Sequence, residues 1–352
     1  MDKVTKAPDT APVPTRGKPT LRTIANMTGF AVTTVSRALA DDPRIAQTTR
    51  SKVAKVARDV GYVPDRAAQR LRTGRTKVIS LLLNTNHEFL GFTSEFLEGL
   101  TRAFKGTGYA VNITPDIIGD ARVDVVENIL RNKLADGVIF TRIECFDPRV
   151  RLLTEHGFPF VSHGRTDFTT PHPFVDFDNE AFARKCVAHL VAQDRKRLCM
   201  IMPEARYTFG EHLRFGFRSA CIDAGVEPVI PETVNLDSTP EEIGAALRAL
   251  QASDAPPDGY ICVGEVIGLI VLAALTDFGV TPGKEVDVIA KRASPISNYF
   301  RPQIDTIFED LEETGYALGK LLMRRIKGED PMGLQVLLPC PEIQTFETAH
   351  RL

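Results

Sequence analysis

The residues from Val32 to Leu39 carry the side chains best suited to sequence-specific recognition in this chain. If this stretch is a helix, Val35 and Leu39 lie on its inner face. The outer face then carries four polar side chains: Thr33, Thr34, Ser36 and Arg37. Short hydroxyl side chains can hydrogen bond to phosphates and base edges, and arginine can pair with guanine. The stretch therefore predicts a helix that enters the major groove of DNA.

Catalytic and metal-binding patterns are missing from the sequence. It contains neither G-x-S-x-G nor H-E-x-x-H, and residues 279–284 have neither the spacing nor the Ser/Thr of a phosphate-binding loop. The seven histidines show no metal-ligand spacing. We therefore expect a protein that is not an enzyme and that uses no metal and no cofactor.

Charge is divided unevenly along the chain. Residues 1–77 contain 16 Lys and Arg against 6 Asp and Glu, whereas residues 78–352 contain 27 against 39. A basic head of this kind can neutralise a polyanion, while an acidic body keeps the rest of the surface away from nucleic acid. On charge alone the head could bind a polyanion such as double-stranded DNA or could be a merely solvated basic surface, and the motifs decide between the two.

The elements around the recognition stretch predict a small helical domain over residues 20–63. Three helices are expected, at Leu21–Thr28, Val32–Ala40 and Thr48–Val60. Gly29 can take the left-handed conformation that ends one helix before the next begins, which gives helix-turn-helix geometry. Residues 1–19 are expected to be a disordered tail, and residues 64–77 a basic linker with a short helix after Pro64.

From Val78 onward, apolar runs alternate with amphipathic stretches of 10–15 residues, which predicts parallel strands joined by helices. The expected fold is an α/β body of two lobes, each a doubly wound parallel sheet. The N-lobe would span about 78–163 and the C-lobe about 164–292, with crossovers near the C-terminus. Such lobes leave a cleft at the carboxyl ends of their strands, where ligands bind.

Six widely spaced cysteines and the absence of a secretory signal predict reduced thiols in a cytoplasmic protein, most of them in cores. No apolar run approaches the roughly 20 residues that span a bilayer.

Four segments resemble the lactose-repressor (LacI/GalR) family. They are Thr20-Leu21-Arg22-Thr23-Ile24-Ala25, Thr33-Thr34-Val35-Ser36-Arg37-Ala38-Leu39, Ile45-Ala46-Gln47-Thr48-Thr49-Arg50 and Gly61-Tyr62-Val63-Pro64. The resemblance extends to about Phe346 and is strongest in the head. It implies a helix-turn-helix regulator with a periplasmic-binding-protein-like body for effector binding and dimerisation.

The resemblance also implies roles for individual residues of the head. Val32, Thr33 and Arg37 would read bases, while Thr20, Thr34 and Ser36 would face phosphates. Residues 65–71 would form a hinge helix ordered on operator DNA, with Leu71 as a wedge in the minor groove. Arg66, in the same basic segment, is the remaining candidate for DNA contact.

Three positions in the head depart from the family pattern. Ala31 and Ala46 stand where the family usually has a Ser that caps the following helix, and Thr23 stands where it usually has Asp. A lost cap costs about 1 kcal/mol, so we expect the head to be marginally stable away from DNA.

The candidate effector-binding residues lie in the body. Arg165, in the run Phe158–Arg165, resembles the family's effector-contacting Arg but could equally be a surface ion-pair arginine. Val175–Asn179 resembles the start of the second lobe. Phe89 and Phe92 are candidates for sugar stacking, because the chain has no Trp. The full set is Phe89, Phe92, Arg142, Arg165, Arg214, Glu265, Arg292 and Glu309.

Other pocket positions differ from the family, so its sugar contacts do not transfer. Gly264-Glu265 replaces Asn-Asp, Ala290-Lys291-Arg292 replaces Gly-aromatic-Asp, and Leu213 replaces an Arg. Two interpretations stay open. Arg292 could pair with Glu265 or Glu309 and still grip sugar hydroxyls, or Arg165, Arg214 and Arg292 could converge on an acidic ligand.

These patterns predict a repressor of a carbohydrate-catabolic operon that binds a palindromic operator as a homodimer, or as a tetramer of paired dimers. A small-molecule effector, with a carbohydrate as the leading candidate, would control it from between the lobes. The alternatives are a regulator of an anionic non-sugar metabolite, a solute-binding protein with an incidental head, and an α/β enzyme fused to a DNA-binding head.

Overall fold

A computed structural model of the chain describes residues 18–63, 70, 73–83, 92–116 and 121–345. The chain divides into two compact units, Met1–Thr76 and Lys77–Leu352, which we call the head and the body. Several predictions lie outside the described residues. They concern residues 1–17 of the predicted tail at 1–19, most of the hinge helix, Phe89 and the side chain of Phe92.

The head consists of three helices, α1 Leu21–Thr28, α2 Val32–Leu39 and α3 Gln47–Asp59, within one residue of their predicted bounds. Gly29 ends α1 with a φ of 76°, the left-handed conformation that permits the sharp turn into α2. Six buried side chains form the shared core: Ile24, Ala25, Val35, Ala38, Val53 and Ala57. This packing fixes which face of α2 remains open to solvent.

The three helix N-termini of the head differ in their caps. Thr20 caps α1, because its hydroxyl accepts a hydrogen bond from the Thr23 amide, and the Thr23 hydroxyl accepts one from the Thr20 amide. Ala31 and Ala46 occupy the cap positions of α2 and α3 and make no side-chain cap bond. The amides at the starts of α2 and α3 therefore lack side-chain acceptors at the cap position.

Replacing Ala46 by Ser is expected to stabilise the head by about 1 kcal/mol, because the new hydroxyl can accept from the first turn of α3. Amide exchange in α1–α3 of the full chain should then slow by roughly fivefold. The same substitution at Ala40, the residue that ends α2, serves as the control, since a hydroxyl there meets no free amides. Equal slowing in both variants would refute the capping explanation.

The N-lobe of the body is a six-stranded parallel sheet with helices on its faces. Its strands are β1 Val78–Leu83, β2 Ala110–Pro115, β3 Gly137–Phe140, β4 Phe160–His163, β5 Phe174–Phe177 and β11 Gln335–Leu338, in the order β11-β5-β4-β3-β1-β2. Its helices are α4 Phe92–Phe104, α5 Ala121–Asn132, α6 Pro148–Glu155 and α11 Leu311–Ile326. Strands β1 and β3 are almost wholly buried, as expected for central parallel strands.

The C-lobe repeats this plan with five parallel strands. They are β6 Arg197–Met200, β7 Glu227–Val229, β8 Gly259–Cys262, β9 Asp287–Arg292 and β10 Asp305–Phe308, in the order β10-β9-β8-β6-β7. Its helices are α7 Asn179–Val191, α8 Thr208–Ala224, α9 Pro240–Gln251 and α10 Glu265–Asp277. Short 3-10 helices cover Pro295–Tyr299 and Pro331–Gly333. The predicted fold class, a helical head and a two-lobed α/β body, is confirmed.

Three segments of the chain cross between the lobes. The first joins β5 to α7, the second joins β10 to α11, and the third follows β11 and carries Cys340 into the C-lobe core. The lobe boundary therefore differs from the sequence interpretation, in which the C-lobe began at about residue 164. Strand β5 pairs with β4 in the N-lobe sheet, and the chain leaves that lobe only at Asp178 and Asn179.

Helices α4 and α11 pack closely because glycines line their contact. A Cβ on Gly99 would lie 1.9 Å from the Glu312 carbonyl oxygen, and one on Gly315 would lie 2.3 Å from that of Phe96. These distances leave no room for any side chain. The contact joins a helix near the start of the body to one near its end, so the two helices form one packed layer of the N-lobe.

Three of the strands, β5, β7 and β10, are short and carry little strand signal in the sequence. Each contains a residue with low strand propensity, namely Asp176, Pro228 or Asp305. Pro228 is tolerated because β7 is an edge strand. Helix α8 begins at Thr208, whose amide and hydroxyl both donate to the Ile143 carbonyl of the other lobe.

Candidate functional site

The exposed face of α2 matches the recognition surface predicted from the sequence. Val32, Thr33 and Arg37 are exposed, Val32 to 41% of its surface, while Thr34 and Ser36 are half-buried. An exposed apolar side chain beside hydroxyls and a guanidinium can contact thymine methyl groups as well as polar base edges. The helix can thus present both kinds of base-reading group.

Two contacts outside the predicted set hold the helix-turn-helix in shape. Lys52 of α3 donates a hydrogen bond to the Thr28 carbonyl at 3.3 Å and lies 5.2 Å above the Phe30 ring, so it ties α3 to the turn. Arg50 pairs with Asp41 at 2.5 Å and braces the loop after α2. The sequence interpretation did not single out either residue, since nothing in the local pattern shows which carbonyl or ring lies nearby.

The remaining DNA-contact predictions have different outcomes. Thr20 is exposed at the start of α1, where its hydroxyl is part of the helix cap. Arg66 and Leu71 lie outside the described residues. Their roles in the linker stay predictions.

A cavity of about 160 Å³ lies between the lobes of the body, where the carboxyl ends of strands from both sheets meet. The N-lobe side includes Thr141, Arg142, Ile143, His163, Gly164, Asp176, Phe177 and Leu311. The C-lobe side includes Asn179, Thr208, Phe209, Val263, Gly264, Glu265, Lys291, Arg292, Ala293 and Glu309. This is the position predicted for the ligand cleft of a two-lobed α/β body.

Four of the predicted effector residues line this cavity: Arg142, Glu265, Arg292 and Glu309. Arg165 is not among the lining residues and pairs instead with Asp176 at 3.4 Å. Arg214 lines a separate cavity in the C-lobe, beside Arg206 and Asn235. The suggested convergence of Arg165, Arg214 and Arg292 on one acidic ligand therefore does not occur in this structure.

The suggested pairing of Arg292 with Glu265 or Glu309 is also replaced by other contacts. Arg292 donates to Gln344 at 2.7 Å and stacks 4.5 Å from the Phe308 ring. Lys291, which the sequence interpretation did not propose as a site residue, pairs with Glu309 at 3.1 Å. Both residues line the cavity, but Lys291 is buried whereas Arg292 is half-buried and turned toward Gln344.

Buried contacts hold the polar side chains of the cavity in place. Lys291 Nζ also donates to Asn179 Oδ1 at 2.7 Å and lies 4.5 Å from the Phe177 ring. The Glu265 carboxylate accepts hydrogen bonds from the Ser294 hydroxyl at 3.0 Å and from its amide at 3.2 Å. These side chains are therefore oriented before any ligand binds, as a selective site requires.

Burial controls ionisation around the cavity. It raises the pKa of Asp176 to about 6, although the nearby Arg165 guanidinium acts in the opposite direction. Burial likewise raises the pKa of Glu265, with the Ser294 hydrogen bonds opposing it, and lowers the pKa of His163. The cavity thus disfavours any charge that lacks a nearby partner.

Four lining residues that the sequence interpretation did not name as site residues share one feature. Thr141, His163, Phe177 and Lys291 all lie at or just beyond the carboxyl end of a strand. That position is the signal that could have identified them, because open α/β sheets bind ligands at the carboxyl ends of their strands. Phe177 and Phe209 supply aromatic faces in this cavity.

Two regions of the chain match protein families. Residues 20–65 match the bacterial regulatory proteins of the lacI family, and residues 187–345 match the periplasmic binding protein-like domain. The chain is a DNA-binding transcriptional regulator of the LacI family, as the sequence resemblance implied. Since this family consists of non-enzymatic regulators, the expectation that the chain is not an enzyme is confirmed as well.

Similar proteins extend over nearly the whole chain. It is 27% identical over 332 residues to the HTH-type transcriptional regulator CelR of Thermobifida fusca, covering 92% of this chain and 96% of CelR. It is 28% identical over 278 residues to the regulator AglR of Rhizobium meliloti, covering 77% and 76%.

Solved structures share the fold. The lac repressor dimer bound to operator and the anti-inducer ONPF matches with a TM-score of 0.80 at 19% identity, covering 94% of this chain and 98% of the other. The CelR-cellobiose complex matches with a TM-score of 0.67 at 23% identity, covering 93% and 99%.

Within the described part of the chain, no helix is both long enough and apolar enough to cross a membrane. The same residues contain no group of three or more His, Cys, Asp or Glu side chains that could hold a metal ion.

Proposed function

We propose that this regulator is a repressor of a carbohydrate-catabolic operon, that it acts in the cytoplasm, and that it binds a palindromic operator as a homodimer. A neutral sugar in the interlobe cavity would control its release from DNA. The observation that carries this proposal is the set of charges around the cavity, where cationic side chains already have neutralising or polar partners.

The recognition half of the proposal rests on α2. Val35 and Ala38 are buried in the head core, so the helix has one defined outer face, and Arg37 projects from it. A dimer would present two such helices with the twofold symmetry of a palindrome. Arg37 is the residue that we propose reads a guanine.

Replacing Arg37 by Ala is expected to weaken operator binding by about 1–3 kcal/mol and to relax base preference at one position of each half-site. Fluorescence anisotropy on palindromes found near the protein's own gene, at fixed salt, measures both effects. Replacing Arg58, an exposed residue near the end of α3, removes the same charge as a control. Equal losses on operator and random DNA in the Arg37 variant would overturn the assignment.

The effector half of the proposal rests on charge balance in the cavity. The lining includes three basic residues, Arg142, Lys291 and Arg292, and three acidic ones, Asp176, Glu265 and Glu309. Lys291 pairs with Glu309, and Arg142 pairs with Asp237, so neither is free to neutralise an anionic ligand. Hydroxyl groups can bond to such a set without adding charge, whereas a carboxylate or phosphate would displace an existing partner.

Aromatic faces and the relatives also favour a sugar. Phe177 and Phe209 can pack against the apolar faces of a pyranose ring. A structure of CelR, which covers 93% of this chain, was solved as a cellobiose complex. The helix-turn-helix head counts against a stand-alone solute-binding protein.

A thermal-shift screen of the full chain tests the effector class. Neutral disaccharides, beginning with cellobiose, would be compared with matched sugar acids such as glucuronate and gluconate. A neutral sugar at 100 times its Kd should stabilise the body by about 2.7 kcal/mol, since it binds only the folded state. If only the acids raise the melting temperature, the anionic alternative replaces this proposal.

A further inference from the structure

Arg142 reaches from the N-lobe to the C-lobe. It follows β3, and its guanidinium forms an ion pair with Asp237, which lies in the C-lobe loop before α9. Both side chains are at least nine-tenths buried. A buried arginine and a buried aspartate therefore join the two lobes next to the effector cavity, which Arg142 also lines.

The segment around Arg142 makes further bonds across the cleft. The Thr208 amide donates to the Ile143 carbonyl at 2.9 Å, and Glu144 pairs with Tyr207 in an antiparallel bridge. The Arg142 guanidinium lies 4.8 Å from the Tyr207 ring. These contacts lie apart from the three chain crossovers, so the two lobes can move apart at this side of the cleft without unfolding.

The backbone at Arg142 is held in an unusual conformation. Its φ is 57°, in the left-handed region that a side chain other than glycine seldom adopts. Two buried arginines fix it, because Arg122 and Arg149 donate to the Arg142 carbonyl at 2.9 and 3.1 Å. Asp116 in turn binds both of these guanidiniums. Strain maintained by a dedicated network of this kind is typical of functional positions.

The Arg142–Asp237 pair does not satisfy every hydrogen-bonding group that it buries. Arg142 Nη1 is buried, and it has no hydrogen-bond partner in the described part of the chain. A buried donor without an acceptor reduces the stability of the arrangement that buries it. The ion pair therefore holds the two lobes together here, while the unpaired Arg142 Nη1 group reduces the stability of that closed state.

We propose that Arg142 is a positioning residue that fastens the two lobes over the effector cavity through Asp237, and that opening of this pair admits the effector. This inference rests on the proposed function, since it takes the cavity as the effector site. Arg122 and Arg149 form the rigid base from which Arg142 reaches across the cleft. The pair thus controls how often the cavity opens to solvent.

Hydrogen exchange followed by mass spectrometry tests this without any effector. The reporter is a peptide that contains the Thr208 amide, which is protected by a bond between the lobes. Arg142→Gln and Asp237→Asn should each speed its exchange by about tenfold or more in the full chain. The Val138 and Leu236 amides bond within their own lobes and should keep their rates.

Two further variants make the result specific. Arg195→Gln breaks another largely buried Arg–Asp pair, with Asp287 at 2.8 Å, but within the C-lobe, and should leave the reporter unchanged. The double variant Arg142→Gln/Asp237→Asn should exchange about as fast as either single one, because both act through one pair. An unchanged reporter in the single variants, or fully additive effects in the double variant, would overturn the proposal.

Failure of this test and failure of the sugar assignment are distinguishable. The exchange experiment contains no sugar, so a negative thermal-shift screen leaves its result standing. A positive screen with an unchanged reporter would keep the effector site and remove only the role of Arg142.

Discussion

Replacing Arg149 by Met is expected to lower the free energy of unfolding of the body by about 3–5 kcal/mol, the cost of breaking a buried ion pair from one side. Arg149 has no exposed surface, and its guanidinium binds Asp147 at 2.7 Å and Asp116 at 2.8 Å. Methionine has a similar length but leaves both buried carboxylates without this partner. Differential scanning calorimetry of the full chain would show the loss in the body transition.

The neighbouring Arg151→Met variant is the matched control. Arg151 lies on the same helix but is exposed, with its guanidinium 5.6 Å from the Phe168 ring. We expect its loss to change stability by less than about 1 kcal/mol. Similar losses in the two variants would mean that the effect comes from the helix and not from the buried network.

Acidification from pH 6.5 to pH 4 is expected to remove up to about 3 kcal/mol of body stability through His172 alone, at 1.36 kcal/mol per pH unit. His172 is buried between the rings of Phe160 and Phe174, at 6.1 and 5.7 Å. This burial lowers its pKa to about 4. Because the unfolded state binds the proton first, the contribution is complete above pH 6.5 and is lost as the pH falls toward 4.

Comparison with His172→Phe isolates this effect. The variant keeps an aromatic ring between the two phenylalanines, and the Ser162 hydroxyl still donates to the Gly164 carbonyl at 2.7 Å. The comparison also removes the contribution of Asp176, which is present in both chains. Because the pKa of Asp176 is raised in the folded state, its protonation stabilises the body as the pH falls over an overlapping range. The free energy of unfolding of the original chain minus that of the variant, measured by urea titration at each pH, should fall on acidification. A constant difference would contradict the assignment to His172.

The same buried groups bear on function as well as stability. Arg149 and Arg122 support the Arg142 carbonyl, so the Arg149→Met variant should also disturb the contact between the lobes. His172 lies in the connection between β4 and β5, the strands that contribute His163 and Asp176 to the cavity. Changes to either residue are therefore expected to alter effector binding from a distance.

The head was predicted closely because its determinants are local. The helical spacing of Val53, Val56 and Ala57, the glycine at position 29 and the absent caps at Ala31 and Ala46 are all properties of a few neighbouring residues. Short-range hydrogen bonds and side-chain periodicity decide such elements. The alternation of apolar runs and helices likewise determined the class of the body.

The cavity could be predicted only in position. Parallel strands dictate that a ligand site lies at their carboxyl ends, but not which side chains meet there. Arg165 turned toward Asp176, Arg214 lined another cavity, and Lys291 entered the site in partnership with Glu309. These outcomes depend on residues more than 10 positions apart in the chain.

Composition and local periodicity specify the basic helix-turn-helix head, the two-lobed α/β body and the exposed polar face of α2. The lobe boundary at β5, the charge balance of the cavity and the contact of Arg142 with Asp237 emerge only in the packed fold. They do so because burial and ion pairing depend on the distance between residues in space. That distance is set when the two sheets and their crossovers pack together, so it is not visible in any one segment of the chain.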